Sequence, residues 1–260
     1  MISLDSLLST EMSLFLLECA RISGVIIVAP LAWVHAPNRL RVVLVLLLAF
    51  VAHGLSVRAE APGSPLLVAS GLVVEFAIGV VMGLVVRFVI AIAEVCGEVM
   101  SPAMGLGMGA AFDPATQSHG SQIANILRYF IVLVGLLIGV HRVLLGALLA
   151  GFRLLPVGSA GDLAMALPGL VQLSSSVISS GVRIALPLVA ILYMTQIALA
   201  FIARAAPQMQ VFNVGFAVML AVGLSVFALI MPDIARAFVI ELSQVGIRLE
   251  EALVLFGAKL

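Results

Sequence analysis

The residues that could carry out acid–base, nucleophilic or metal chemistry are few and scattered. Ser118 and His119 are neighbours in a polar stretch, and adjacency in the chain does not by itself give a nucleophile and its base the geometry they need. Cys19 and Cys96 lie apart in apolar surroundings, without the spacing of a metal site or a disulfide framework. The HExxH, GxSxG and phosphate-loop signatures are absent. The sequence therefore predicts no catalytic residue, no cofactor and no metal.

Charged side chains inside apolar stretches are the more informative group. Glu75 and Arg87 interrupt the apolar stretch 66–92, and Glu18 and Arg21 precede another apolar stretch. An ionised group that faces lipid costs at least ~2.5 kcal/mol at the middle of a membrane, so such groups face protein, water or an opposite charge. The spacing of three allows Glu18 to pair with Arg21 on one helical face. The helices that carry these charges are expected to be largely surrounded by protein.

The composition indicates a membrane protein. Of 260 residues, 63% are hydrophobic and 10% are charged, whereas soluble domains carry roughly 25% charged residues. The mean hydropathy is +1.28. Thirteen basic residues balance thirteen acidic residues, so nothing predicts nucleic-acid binding or a polybasic patch on lipid. The expected fold is all-α, a single membrane-embedded domain over residues 1–260 with six to eight helices in hairpins.

Two late segments, 184–203 and 211–232, contain no charge and reach the roughly 20 residues needed to cross a bilayer. Between them lies Pro207, which removes a backbone donor and breaks a helix. This pattern predicts a tight helical hairpin. The segment 163–182 is richer in glycine and serine, which leaves a weak span and an interfacial helix as alternatives.

Two further segments complete the outline of the chain. Residues 129–152 form one apolar stretch that contains Arg142. The tail, at about 234–260, mixes charged residues with apolar residues at helical spacing. This mixture is typical of an amphipathic helix at a membrane surface.

The segment 98–122 reads EVMSPAMGLGMGAAFDPATQSHGSQ and differs from a plain helix. Alternate glycines permit sharp backbone turns, and methionine is a deformable apolar filler. Irregular backbone at membrane depth must be buried in protein or line a wet cavity, so a plug-like loop at about 100–122 is one interpretation. A small-residue packing interface between helices is the other. The candidate plug residues are Met104, Gly105, Gly107, Met108, Gly109, Phe112, Asp113 and Pro114.

Four stretches, spread over residues 29–216, resemble a known family. They are Ala29-Pro30 with Ala36-Pro37-Asn38-Arg39-Leu40-Arg41; Gly97-Glu98 leading to Met104-Gly105-Leu106 and Asp113-Pro114; Leu155-Pro156-Val157-Gly158; and Arg204-Ala205-Ala206-Pro207-Gln208-Met209 with Phe212 and Gly215-Phe216. The sequence is similar to the FliR family of flagellar export components and their injectisome relatives, called SctT. Ala217 stands where family members often carry proline, and the choice between flagellum and injectisome stays open.

The resemblance implies a non-enzymatic subunit of a type III protein-export gate in the bacterial cytoplasmic (inner) membrane. Its expected partners are FliP-like and FliQ-like subunits, an FlhB-like switch protein, unfolded exported proteins and the lipid membrane. The residues implied in subunit contacts are Glu18, Arg21, Glu75, Arg87, Arg204, Pro207, Gln208 and Phe212.

A small-molecule or ion transporter or channel is the alternative from a different class. In that case Glu75, Arg87, Glu94 and Glu98 would line a path for substrate or protons. The absence of a visible internal repeat and the four family-like stretches disfavour it.

Overall fold

The computed structural model describes residues 4–31, 33, 36–54, 64–106, 121–158, 163–205 and 211–256. All regular secondary structure within these ranges is helical, which confirms the predicted all-α fold. The eight described helices are α1 (Leu4–Val28), α2 (Asn38–His53), α3 (Pro65–Ala103), α4 (Gln122–Ile138), α5 (Val140–Leu154), α6 (Leu163–Ala205), α7 (Val211–Ser243) and α8 (Val245–Leu255).

Three helical stretches among the described residues are long and apolar enough to cross a membrane. They are Leu66–Ala103, Pro168–Ala205 and Gly215–Val254, with mean hydropathies of 2.5, 2.1 and 2.2. The two predicted spans, 184–203 and 211–232, lie within α6 and α7. The stretch in α3 is the most buried of the three. Of its most apolar part, 61% is buried inside the chain, against 17% and 11% for the stretches that begin at Pro168 and Gly215.

The apolar stretch 129–152 is not one straight helix. It is interrupted at Gly139, whose φ of 88° lies in the left-handed region, and α4 and α5 meet there at a bend of 65°. A left-handed residue cannot continue a right-handed helix, and glycine adopts this conformation without a steric penalty. The two helices together make at most one broken span.

The segment 163–182, for which a weak span or an interfacial helix was predicted, forms the first part of the 43-residue helix α6. Two of its serines bond to carbonyl groups of the same helix. Ser174 donates to the carbonyl of Val171 at 2.8 Å, and Ser179 donates to that of Ser176 at 3.0 Å. Such local bonds let a polar side chain remain inside a helix without an external partner.

The tail is divided between two helices. The helix α7 continues to Ser243, and α8 begins at Val245. The helix α8 packs against α5. At this contact the side chain of Leu253 lies 3.3 Å from the position that a Cβ atom on Gly151 would take.

The chain consists of two compact units, and several of the long helices contribute residues to both. The first comprises Met1–Val89, Gly135–Ser174 and Leu242–Leu260; the second comprises Ile90–Val134 and Ser175–Glu241. In the first unit α1 packs against α2. The second unit contains, among others, the buried side chains of Met104, Ala185, Leu188 and Leu192.

A close crossing of α1 and α3 organises the first unit. A Cβ atom on Gly24 would lie 2.8 Å from the amide nitrogen of Val80, and one on Gly79 would overlap the carbonyl oxygen of Arg21. Real Cβ contacts are not this short. The two backbones therefore touch where both helices lack side chains, an arrangement that small residues permit in membrane proteins.

We predict that Gly79→Ala destabilises the protein, because the added methyl group meets backbone that cannot move independently. Gly146→Ala is the matched control: no atom lies within 4 Å of its Cβ position, and alanine is favoured over glycine in a helix by up to about 1 kcal/mol. The measurement is the thermal midpoint of the full chain in detergent. Equal midpoints for the two variants would contradict the crossing.

Candidate functional site

A buried ion pair lies in the first unit, between α1 and α3. The Nε atom of Arg21 is 2.5 Å from Oε2 of Glu75, and the two side chains are 0% and 1% exposed. Moving one such ion out of water costs several kcal/mol, so a buried pair persists only when the geometry is good and further hydrogen bonds are made. The surroundings of both groups supply those bonds.

The guanidinium of Arg21 also binds the end of α5. Its Nη1 atom donates to the carbonyl oxygens of Gly151 at 3.3 Å and Leu155 at 3.1 Å, and its Cζ atom lies 4.7 Å from the centroid of the Phe152 ring. The last carbonyls of a helix have no partner within it and carry partial negative charge. A cation at this position therefore both caps α5 and offsets its dipole.

The second oxygen of Glu75 is satisfied as well. Its Oε1 atom accepts a hydrogen bond from the backbone N–H of Gly158 at 2.9 Å. Gly158 has a φ of 83°, a conformation that glycine adopts readily. We call Arg21, Glu75, Phe152 and the backbone groups of Gly151, Leu155 and Gly158 the ionic node; it joins α1, α3 and the segment that ends α5.

The sequence singled out both ions of the node but not their pairing. Arg21 pairs with Glu75 and not with Glu18, three residues away; the carboxylate of Glu18 instead lies 3.1 Å from Nδ1 of His53 on α2. The roles of Leu155 and Gly158 were also missed. Both belong to the stretch Leu155–Gly158 that resembles the export family. The sequence signal that could have pointed to them was the need of two buried charges for hydrogen-bond partners.

The node contains two of the residues assigned to subunit contacts, Arg21 and Glu75. Arg87 and Arg204 are exposed. Pro207 and Gln208 lie outside the described residues, and Phe212 belongs to the first turn of α7. The side chains of Arg87 and Arg204 are therefore accessible for the predicted contacts with other subunits.

In the second unit, Glu94 and Glu98 of α3 have partners on α4 or just before it. Glu94 lies 3.9 Å from Nε of Arg128, and Oε1 of Glu98 accepts from the backbone N–H of Ser121 at 3.0 Å. Ser121 precedes α4, and its hydroxyl accepts from the amide of Ala124 at 3.0 Å, which is the bond made by a helix N-cap. These two carboxylates thus have separate partners instead of sharing one site.

The described part of the predicted plug is the end of α3. The N–H of Gly105 donates to the carbonyl of Pro102 at 3.0 Å, and that of Leu106 donates to the carbonyl of Ser101 at 3.1 Å. With a φ of 81° at Gly105, these are the bonds of a Schellman motif, which ends a helix at a left-handed glycine. Gly105 is therefore the residue that stops α3.

Met104 is anchored at this point. Its side chain is 0% exposed and occupies the space beside Gly223 of α7, where a Cβ atom would lie 2.9 Å from Cγ of Met104. The other candidate plug residues lie outside the described residues; they are Gly107, Met108, Gly109, Phe112, Asp113 and Pro114.

An apolar groove of about 500 Å³ opens beside Gly105. One wall is the turn that ends α3, and the others are side chains of α6 and α7. Phe216 lies 3.4 Å from the Cβ position of Gly105. Gln196 is the polar side chain in the lining. The groove is built for apolar contact and not for an ionic ligand.

We predict that Arg21→Met lowers the stability of the full chain by about 3–5 kcal/mol, because it leaves the Glu75 carboxylate buried without its cation. Arg236→Met is the matched control, since Arg236 pairs with Asp233 at 3.3 Å with both side chains more than three-quarters exposed. Its effect should stay within about 0.5 kcal/mol. The measurement is unfolding in detergent. Adding Glu75→Leu to Arg21→Met should restore part of the loss; two single variants of equal stability would refute the role of the node.

Comparison with known proteins gives consistent matches. The model of the family described as "Bacterial export proteins, family 1" matches residues 12–245. The chain is 31% identical over 163 residues to the flagellar biosynthetic protein FliR of Escherichia coli K12, an alignment that covers 63% of this chain and 62% of the relative. The protein of the same name from Pectobacterium carotovorum is 28% identical over 161 residues, with 62% of each chain covered.

A longer alignment is found with FliR of Caulobacter vibrioides, which is 24% identical over 204 residues that cover 78% of this chain and 81% of the relative. In the first two comparisons, the chain spans about three-fifths of the length of the relative. The resemblance to FliR drawn from the four stretches is confirmed. Because the family model matches all but the two ends of the 260 residues, the chain belongs to family 1 of the bacterial export proteins.

Proposed function

We propose that this protein is a subunit of the type III export gate of the bacterial flagellum, and that it helps to form the path by which unfolded proteins cross the cytoplasmic membrane. The observation that carries the proposal is the family match over residues 12–245. The relatives named above are flagellar biosynthetic proteins, which favours the flagellum over the injectisome.

The surface of the chain supports an assembled role. The most apolar windows of α6 and α7 are only 17% and 11% buried within the chain. Large side chains such as Phe201 (70% exposed) and Leu229 (79% exposed) stand on them. Apolar surface of this extent needs lipid or another protein to cover it. FliP-like and FliQ-like subunits and an FlhB-like switch protein are the partners we propose.

The geometry gives no support to a solute transporter built on the acidic residues. Glu75 is 1% exposed, and its two oxygens are held by Arg21 and by the N–H of Gly158. Glu94 and Glu98 face groups on or beside α4. Carboxylates that are already paired with protein groups do not present a continuous path for a solute.

We further propose that the segment from Met104 to Pro114 closes the gate at rest. Two features of its described end support this proposal. The Schellman motif stops α3 at Gly105, so the chain leaves the helix at a fixed point. The buried side chain of Met104 beside Gly223 then anchors that point.

The functional proposal predicts that deleting the gene abolishes secretion of flagellar proteins and motility, and that the full chain supplied in trans restores both. The readout is the amount of flagellar filament protein in the culture medium, with the same protein in the cell pellet as a control for synthesis. The purified chain in vesicles should move no solute alone. Normal secretion in the deletion strain, or solute transport by the chain alone, would overturn the proposal.

The plug proposal predicts that Gly223→Val makes resting cells leaky to small ions while the complex still assembles, because the added side chain displaces Met104. Gly215→Val is the matched control, since the nearest described atom outside its own stretch of helix lies 4.0 Å from its Cβ position. Ion leak and recovery of the complex are measured in the same strains. An assembled, ion-tight Gly223→Val complex would contradict the plug, and loss of the complex would favour a packing role for Met104.

A further inference from the structure

We propose that His53 and two glutamates of α1 form a proton-binding site that fastens the end of α2 to α1 while the histidine is doubly protonated. The imidazole lies between two carboxylates. Its Nδ1 atom is 3.1 Å from Oε2 of Glu18, and its Nε2 atom is 3.2 Å from Oε2 of Glu11. We call these three residues the His53 clamp; it belongs wholly to the first unit.

The clamp requires a particular form of the ring. A neutral imidazole has one N–H donor and one nitrogen lone pair, whereas the imidazolium donates from both nitrogens. A carboxylate is only an acceptor. Both contacts are therefore favourable together only when the ring carries two protons and a positive charge.

Other features of the site favour the same charge. His53 is the last residue of α2, where the partial negative charge of the helix end stabilises a cation. The ring of Phe15 stands edge-on to the imidazole, with centroids 5.9 Å apart and planes at 83°. The aromatic contact leaves both ring nitrogens directed to the carboxylates.

Within the part of the chain that the structure describes, Glu11 and Glu18 of α1 are the carboxylates in ion-pair distance of His53, while Arg21 of α1 belongs to the ionic node. Cys19 is titratable and follows Glu18 in the chain. Burial, and then the Glu18 carboxylate, raise the pKa of its thiol, so the thiol stays neutral and does not compete for the proton.

The two carboxylates differ in how readily they can release the ring. Glu18 is 1% exposed, whereas Glu11 is 40% exposed and can be solvated by water. When a rise in pH removes one proton from the ring to the solvent, the remaining N–H can donate to only one carboxylate. Losing the exposed contact to Glu11 costs less free energy than losing the contact to Glu18, because breaking a buried hydrogen bond leaves an unsatisfied group.

The clamp consequently couples proton concentration to the packing of α1 on α2. Fastening is complete while the ring carries two protons and both carboxylates are ionised, and it weakens when the ring loses a proton to the solvent. The first half of α1, around Glu11, is the part released. The clamp does not rest on the proposed export function.

The test is amide hydrogen exchange of the full chain in lipid nanodiscs, at pH 5.5 and pH 8, corrected for the intrinsic effect of pH. Peptides from the first half of α1 and the last turns of α2 should exchange about two- to fivefold faster at the higher pH, the range expected for one partly exposed charged contact. In the His53→Gln variant the same peptides should exchange fast at both pH values. The glutamine side chain has one amide nitrogen and cannot donate to two carboxylates from opposite sides, as the imidazolium does. His141→Gln, a histidine of α5, is the matched control and should keep the pH response.

Glu11→Gln is a second variant, placed at the exposed carboxylate so that it should not prevent folding. It removes the charge that holds the second ring proton, so the pH response should shrink to less than half. The proposal is overturned if the parent protein shows no pH response in these peptides. A response of parental size in both His53→Gln and Glu11→Gln would overturn it equally.

Discussion

The buried ion pair between Arg21 and Glu75 is the interaction on which the first unit depends. Neither charge is accessible to water, and neither can be removed alone without leaving the other uncompensated in an apolar interior. The pair fixes α1 against α3, and its remaining hydrogen bonds hold the end of α5 through the carbonyls of Gly151 and Leu155. A chain that is 63% hydrophobic and 10% charged thus uses two of its few charged groups to hold these helices together.

The ion pair in turn needs the two helices to be unusually close. Gly24 and Gly79 allow this, because each leaves its backbone open to the opposite helix. Apolar contact alone would discriminate poorly among alternative pairings, since every helix here is apolar and lipid is a comparable environment. The glycine crossing and the ion pair together favour this pairing of α1 with α3.

The proposed plug follows directly after the long helix α3. The most apolar part of α3 is more buried than that of the other two candidate spans. The helix ends at a glycine-based motif in which backbone N–H groups bind its last carbonyls. An export gate needs a closure that moves while the scaffold that carries it does not. An anchored helix with a defined last residue is suited to that role, and the groove beside Gly105 provides apolar surface next to it.

Several properties followed from the sequence alone because they depend on local composition. Uninterrupted apolar length predicted the apolar helices α6 and α7, whereas the predicted turn at Pro207 lies outside the described residues. The four short stretches predicted the family. The scarcity of charge predicted that Arg21 and Glu75 need partners, since the cost of burying an ion does not depend on which helix supplies its counter-ion.

The tertiary structure decided which groups meet. Arg21 and Glu75 are 54 residues apart, and Gly158 is a further 83 residues beyond Glu75, so no local spacing rule could join them, and the near neighbour Glu18 was the wrong partner. The bend at Gly139 and the continuity of α6 were equally inaccessible, because a glycine or a serine is compatible with a helix or a break until its backbone angle and hydrogen bonds are known. Local pattern determines what each segment can become, and the partners that buried charged groups find determine which segments come together.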